Sequence, residues 1–193
     1  MRDTPDSVAA RVTVALSAWS ETPWSYDFFA VLRRLEAAAA TTPRWGMALL
    51  PLAEPIRIGQ EPSMAFAPAS FSRIESATTV SPPRLRQYFF GYIGPNGPLP
   101  THLSEFIQGR ALNHGDRTWL AFLDGFTHRF SMHLYRAWAQ ARPAVALDRP
   151  GEDRFRNQIG ALVGIGTKAR QGRDAVHDDA RLHFAGRLVR QVR

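Results

Sequence analysis

Gly91, Gly94 and Gly97, within FFGYIGPNGPLP (residues 89–100), are the first residues whose type and spacing could carry chemistry. Glycine-rich turns bind phosphate when successive backbone N–H groups converge on one anion. A dinucleotide fingerprint requires G-x-G-x-x-G. A Walker loop requires two spaced glycines followed by lysine and serine or threonine. Here the spacing is three throughout, no lysine follows, and Pro95 and Pro98 remove donors. The stretch reads instead as a strand ending in a stiff turn. Asn96 and Gly97 accommodate positive φ, and Pro98 and Pro100 stiffen the exit into a helix. A second glycine run, GALVGIG (160–166), lies at the end of a helix rather than after a strand and is a weaker phosphate site still.

The other reactive residue types are equally sparse in pattern. The histidines stand at 102, 114, 128, 133, 177 and 183 and form neither H-E-x-x-H nor H-x-x-x-H. His128 and His133, five apart, fall on different sides of a helix, so no metal site is expected. Carboxylate pairs can perform acid–base hydrolysis. Glu61, Glu75, Glu105, Asp124 and Asp148 nevertheless lack local settings that would raise a pKa. No G-x-S-x-G elbow accompanies any serine. In ALDRPGEDRF (146–155), Asp148, Glu152 and Asp153 surround Arg149 and Arg154, as in a loop held by its own ion pairs ahead of a helix. The absence of cysteine excludes disulfides, thiol catalysis and thiolate metal sites. No cofactor, metal or catalytic residue is expected.

The elements that position these residues are mostly helical. Val8, Val12, Ala15 and Leu16 predict a helix over residues 6–18. A stronger start follows: Ser25 as N-cap, Asp27 in the first turn, and Trp24 and Phe29 at the positions of a hydrophobic staple. Phe28, Val31, Leu32 and Leu35 then recur at helical spacing, with Arg33 and Arg34 on the solvated side. Prolines at 51, 55, 62, 68, 82 and 83 exclude long helices from the next segment. IRIG (56–59) reads as a short strand, and MAFAPASFSRIE (64–75) as a strand pair or extended segment. RLRQYFFGYIG (84–94) is the best strand, with Leu85, Gln87 and Phe89 on one face and Arg86, Tyr88 and Phe90 on the other. Aromatics on both faces call for cover on both sides.

Beyond Pro100 helices return. Thr101 caps one with the stripe Leu103, Phe106 and Ile107, closed at His114–Gly115. Asp116 caps a long helix that stops before Pro143. Its apolar positions are Leu120, Leu123, Phe126, Thr127, Phe130, Leu134, Ala137, Trp138 and Ala141. A third has Phe155, Ile159, Leu162 and Val163 on one face. After a polar link (164–178), the last has Leu182, Ala185, Leu188, Val189 and Val192. Trp119, Phe122, Phe126, Phe130 and Trp138 cover more than one narrow face of the long helix, so part of that surface is expected to meet a partner.

The chain has 193 residues, 45% hydrophobic and 21% charged, which suits one domain or two small ones. The fold class is α+β and mainly helical: an N-terminal helical segment (1–42), a Pro-rich β or irregular segment (43–100) and a helical segment (101–193). They form one continuous unit, elongated and not self-contained. The net charge is +7, carried by arginines spread along the chain, with Lys168 the only lysine. That charge permits nucleic-acid binding, but a dedicated basic tract would cluster. No secretory signal and no apolar run of membrane-spanning length is present, so a cytoplasmic place is expected.

In chain order, YDFFAVLRRLE, IRIGQEPSMAFAPASF, FFGYIGPNGPLPTHLSEF, RALNHGDRTWLAFLDGFTHRFSMHLYRAWAQARP, DRPGEDRF and LHFAGRLVRQVR resemble the TssG (ImpH) family, baseplate subunits of type VI secretion systems. The resemblance runs from Trp24 to Arg193. It implies a structural, non-enzymatic subunit of a contractile, phage-tail-like injection machine. Its expected partners are TssF, TssK and TssE, with no small-molecule substrate, no nucleic acid and no direct membrane insertion. Its place when assembled is the inner face of the cell envelope. The motif positions are candidate interaction residues: Phe89, Phe90, Gly91, Gly94, Pro95, Asn96, Gly97, Pro98, Leu99 and Pro100, then Tyr135 and Trp138, then Asp148, Arg149, Pro150 and Gly151. Family members continue further, so the chain is expected to be the N-terminal part of such a subunit or a shortened one. The positive charge leaves the alternative of a basic nucleic-acid-binding or uncharacterised enzymatic domain.

Overall fold

Helix α1 (Pro5–Ser17) forms where the apolar spacing predicts it and buries Val8, Val12 and Leu16 against α2 (Phe28–Ala38). The structure is a computed structural model describing residues 5–50, 53–78, 81–173 and 175–191, without the side chains of 5–7, 9 and 186–191. The chain divides into two compact units, Met1–Trp138 and Ala139–Arg193. No helix among the described residues is long and apolar enough to cross a membrane.

The start of α2 differs from the expected one. Residues Pro23–Ser25 close a short 3-10 turn, and Asp27, not Ser25, is the N-cap. Its Oδ2 accepts from the N–H groups of Phe29 (3.0 Å) and Ala30 (3.2 Å). A carboxylate satisfies two of the helix's orphan donors and also meets the positive end of its dipole. Shifting the cap by two residues removes the staple: Trp24 is 58% exposed, and Phe29 stacks on Trp138 instead, centroids 4.8 Å apart. Asp27→Ala is expected to lower stability by about 1 kcal/mol in urea unfolding, with Asp27→Asn retaining most of it.

The Pro-rich segment contributes three short strands, β1 (Arg57–Gln60), β2 (Phe71–Glu75) and β3 (Arg84–Gln87), in the order β1-β3-β2. Central β3 runs parallel to β1 and antiparallel to β2, with an irregularity between Phe71 and Arg73. Leu85, Arg86 and Gln87 are all buried, so β3 is covered on both faces as expected. The strand ends at Gln87, and the aromatics after it leave the sheet. Phe28 of α2 meets Phe71 and Phe89, at 5.9 and 5.0 Å.

Helices α3 (Thr101–Asn113) and α4 (Thr118–Gln140) complete the first unit. Pro100 occupies the N-cap of α3 and no side chain caps it, so Thr101 opens the helix without the expected capping bond. Gly115 follows the last turn at φ 66°, the left-handed position that glycine takes freely. Of the expected α3 stripe only Ile107 is buried. It shares its face with Ser104 and Ala111, while Leu103 and Phe106 are exposed.

The second unit holds α5 (Pro143–Ala146), α6 (Arg154–Leu162) and α7 (Asp178–Gln191). Asp153 caps α6 by accepting from the Arg156 N–H (2.9 Å), and Arg156 pairs with Asp179 of α7 (2.6 Å). Of the expected stripe, Ile159 and Val163 are half-buried while Phe155 and Leu162 face solvent, and the one buried position of α6 is Gly160. There the backbone N–H of Ile165 bonds back to the Gly160 carbonyl (2.7 Å). The expected positions Leu188, Val189 and Val192 lie outside the described side chains.

Candidate functional site

Apolar periodicity finds only part of the core face of α4: of the expected positions Leu120 and Thr127 are buried and Leu123, Leu134 and Trp138 half-buried, but Phe126, Phe130, Ala137 and Ala141 are exposed. The buried positions are Leu120, Asp124, Thr127, His128, Ser131, Met132 and Tyr135, most of them polar. The edge strand β1 explains this. Alternate N–H groups of β1 point to β3, where Arg57 and Glu61 donate to Pro83 and Gln87. The others point away and need acceptors. Ile58 N–H donates to His128 Nδ1 (3.2 Å) and Gln60 N–H to Asp124 Oδ1 (3.0 Å). Four residues of helix rise about 6 Å and two residues of strand about 6.6 Å. An i, i+4 pair on α4 therefore matches alternate donors on β1.

Charges cluster around those contacts. Arg86 places Nη1 2.6 Å from Asp124 Oδ2 and Nε 3.0 Å from Glu75 Oε1, and Arg84 reaches the same Asp124 oxygen at 3.2 Å. Burial pushes the Asp124 carboxyl above its ordinary value despite Arg86, the Gln60 N–H and Arg84. The sequence reading, which saw no such setting at Asp124, is corrected here. Every neighbour of its oxygens is a donor, so the cluster is built around the carboxylate form. At Glu75 burial acts upward too, but Arg86 and Arg73 outweigh it and hold that carboxyl low. Since His128 Nδ1 accepts, its proton lies on Nε2, which donates to Glu54 Oε2 (2.5 Å). Burial at Glu54 is likewise outweighed, by His128 and then Arg129 and Arg57, so its pKa is lowered. The hydrogen bonds of Asp124, Glu75 and His128 go to strand, helix or neighbouring charge, while Glu54 Oε1 is buried without a hydrogen-bond partner.

Gln60 also fixes the stretch that opened the sequence. Its Oε1 accepts from the N–H groups of Tyr92 (2.8 Å) and Ile93 (2.9 Å), and its Nε2 donates to the Ile93 carbonyl (2.5 Å). The side chain thus imitates a strand and grips the loop 33 residues away. Gly94 N–H donates to Ser104 Oγ (3.2 Å), and the turn closes with Gly97 N–H to Gly94 O and Leu99 N–H to Tyr92 O, both 3.1 Å. Positive φ falls on Gly91 (154°) and Gly94 (102°), not on Asn96 or Gly97 as the turn chemistry suggested. Gly97 is required for space: a Cβ there would stand 2.5 Å from the Tyr92 carbonyl oxygen. At Gly91 a Cβ would overlap the Gln60 carboxamide. The loop bounds a dent of about 40 Å³ whose lining includes Glu61, Ser63 and Asn96, too small for a nucleotide and lined in part by an acidic residue.

The remaining candidate residues are placed as follows. Phe90 and Leu99 are half-buried, Phe89 is exposed on the Phe28 ring, and Pro95, Asn96, Pro98 and Pro100 are exposed at the turn. Tyr135 is buried and donates to Glu36 Oε2 (3.0 Å), which ties α4 to α2. Trp138 lies 5.7 Å from its ring. In the second unit, Asp148 is half-buried, Arg149 is buried, and Pro150 and Gly151 are exposed in a 3-10 turn. Asp116 sits between α3 and α4. The Thr118 N–H and then Arg110, 2.6 Å away, pull its carboxyl down to about 2. Its stabilising effect is present above its ordinary 3.8 and is lost as pH falls through about 2, which a carboxyl NMR titration is expected to show.

Opposite the polar face, α4 presents Trp119, Phe122, Phe126 and Phe130, respectively 53, 60, 47 and 51% exposed. Phe122, Phe126 and Phe130 join Tyr92 of the loop in an edge-to-face ladder: Phe122 on Phe126 at 5.2 Å, and Tyr92 at 6.3 Å from both Phe126 and Phe130. The gripped loop and the aromatic row are thus one continuous surface. Sequence reasoning flagged the aromatics but missed Gln60, Ser104 and Arg86. The visible signal was the polar i, i+4 pairing of Asp124 with His128 and of Thr127 with Ser131. Residues 22–193 match the family described as type VI secretion, TssG. No curated protein and no solved structure matches the chain.

Proposed function

Because the chain belongs to the TssG family of type VI secretion baseplate proteins, we propose that it is a structural subunit of the baseplate wedge that scaffolds TssF, TssE and TssK and catalyses no reaction. The observation that supports this most is the orientation of α4, which turns polar residues inward and four large aromatics outward. Exposed apolar rows of that size mark protein interfaces. In this reading the motif residues act at two levels. Phe89 to Pro100 form a rigid edge beside the row, and Tyr135 and Trp138 lock α4 onto α2. Asp148 to Gly151 shape a turn of the second unit. The subunit works in the cytoplasm, at the inner face of the envelope once assembled.

Co-expression of the full chain with TssF, TssE and TssK tests this. A complex that co-purifies is expected, and Phe122→Asp combined with Phe126→Asp is expected to weaken it by more than about tenfold while circular dichroism stays unchanged. A wild-type chain that remains a monodisperse monomer without affinity for TssF would sink the reading.

A further inference from the structure

We propose that the outer face of α4 is a docking track for one amphipathic helix of a partner protein, apolar along its inner side and acidic along the flank that meets Arg129 and Arg136. The inference deepens the scaffold reading and rests on it only in that the helix belongs to a neighbouring protein. At about 100° per residue, Trp119, Phe122, Phe126 and Phe130 fall within an arc of about 80°. Their spacing of 3, 4 and 4 builds a ridge about 17 Å long, the length of about three turns of a facing helix. Tyr92 and the gripped loop stand beside the ridge.

Charge selects the occupant. The only carboxylate of α4, Asp124, is buried under Arg86, Arg84 and the Gln60 N–H. The formal charges α4 shows on one flank of the ridge are therefore cationic: Arg136, and Arg129, whose side chain is 39% exposed although its guanidinium also lies 3.8 Å from Glu54 Oε1. Both are anchored from below, Arg129 to the Ala48 carbonyl (3.3 Å) and Arg136 to the Gly46 carbonyl (3.5 Å), which holds them along that flank. An acidic flank on the partner complements them. A second copy of the chain does not, because antiparallel packing brings the same cationic flank together, and each copy carries +7. Single-stranded nucleic acid needs open ring faces for stacking. Here the Phe122, Phe126, Phe130 and Tyr92 rings meet edge to face, with interplanar angles of 71 to 77°, so a neighbour's edge stands against faces on which bases would stack.

The test uses the full chain and two labelled peptides of about five helical turns. Both carry a leucine stripe; one has glutamate along the flank and the other lysine. Anisotropy is expected to show the glutamate peptide binding at least about tenfold tighter, with the preference shrinking at high salt. Phe126→Asp should abolish binding, as should Phe122→Ser, which keeps the test open if the first variant misfolds. Arg129→Gln with Arg136→Glu should remove or invert the preference. Equal binding of the two peptides, or none, overturns the track. So does displacement of the glutamate peptide by a polythymidine oligonucleotide, which would assign the surface to nucleic acid. Self-association abolished by Phe126→Asp would assign it to a second copy. A chain that binds the glutamate peptide but assembles with no baseplate protein sinks the scaffold reading alone. Assembly without peptide binding sinks the track alone.

Discussion

Arg86→Ala is expected to lower stability by about 3–5 kcal/mol, because it removes one partner of a buried pair and leaves the other charged. The Arg86 side chain is 2% exposed and joins Asp124 of α4, Glu75 of β2 and the Gln60 carbonyl of β1. Gly59 leaves room for that crossing, since a Cβ there would lie 2.7 Å from both the Arg86 guanidinium and the Asp124 carboxylate. Without Arg86, burial drives the Asp124 carboxyl further up from its ordinary 3.8. A raised folded pKa means stability that is full below the unfolded value and lost as pH rises through the folded one. The variant should therefore lose more relative to wild type at pH 7.5 than at pH 5 in urea unfolding. Arg86→Met with Asp124→Asn should recover part of the loss, because it removes the uncompensated charge and keeps an acceptor for the Gln60 N–H, whereas Asp124→Leu would strand that donor. A single variant within about 1 kcal/mol of wild type at both pH values would show that the ion cluster does not hold sheet to helix.

Gln60→Leu is expected to release the 91–97 loop. It strands the N–H groups of Tyr92 and Ile93 and the Ile93 carbonyl, each costing about 1–3 kcal/mol when buried without a partner. The local effect should exceed the global one: amide exchange at Tyr92 and Ile93 accelerates by about a hundredfold, while β2 amides change little. Because Tyr92 borders the aromatic row, assembly with TssF should weaken as well. Unchanged exchange at Tyr92 and Ile93 would refute the grip. Gln60→Glu should not rescue it, since a carboxylate would face the Ile93 carbonyl where a donor is needed.

The helices α1 and α2, the short strands of the Pro-rich segment, the Gly115 stop and the family itself were legible in local spacing. Those signals are short-range: a residue and its neighbours at helical or strand period carry them. The orientation of α4 was not legible by the same rule. A core face is normally the more apolar one, but here the core face answers the hydrogen-bonding needs of an edge strand more than 60 residues earlier. Gln60 was invisible for the same reason, because nothing near it in sequence records that it grips residues 92 and 93. The turn at Asn96–Gly97 looked like a site for positive φ, whereas the glycine there answers to crowding by Tyr92 and the positive φ sits at Gly91 and Gly94. Sequence composition shows that glycine is needed but not which of its two properties is used.

The contacts from His128 and Asp124 to β1 have one further consequence. An open sheet edge is a template on which an extended segment of another chain can lie down. In this protein α4 acts as a surrogate fourth strand, filling the outward donors of Ile58 and Gln60 with side-chain acceptors. A subunit destined for a larger particle must survive the interval before its neighbours arrive. On the scaffold reading, the surface offered to neighbours is then a helix face, selective by shape and charge, while the β1 edge is closed to any extended chain.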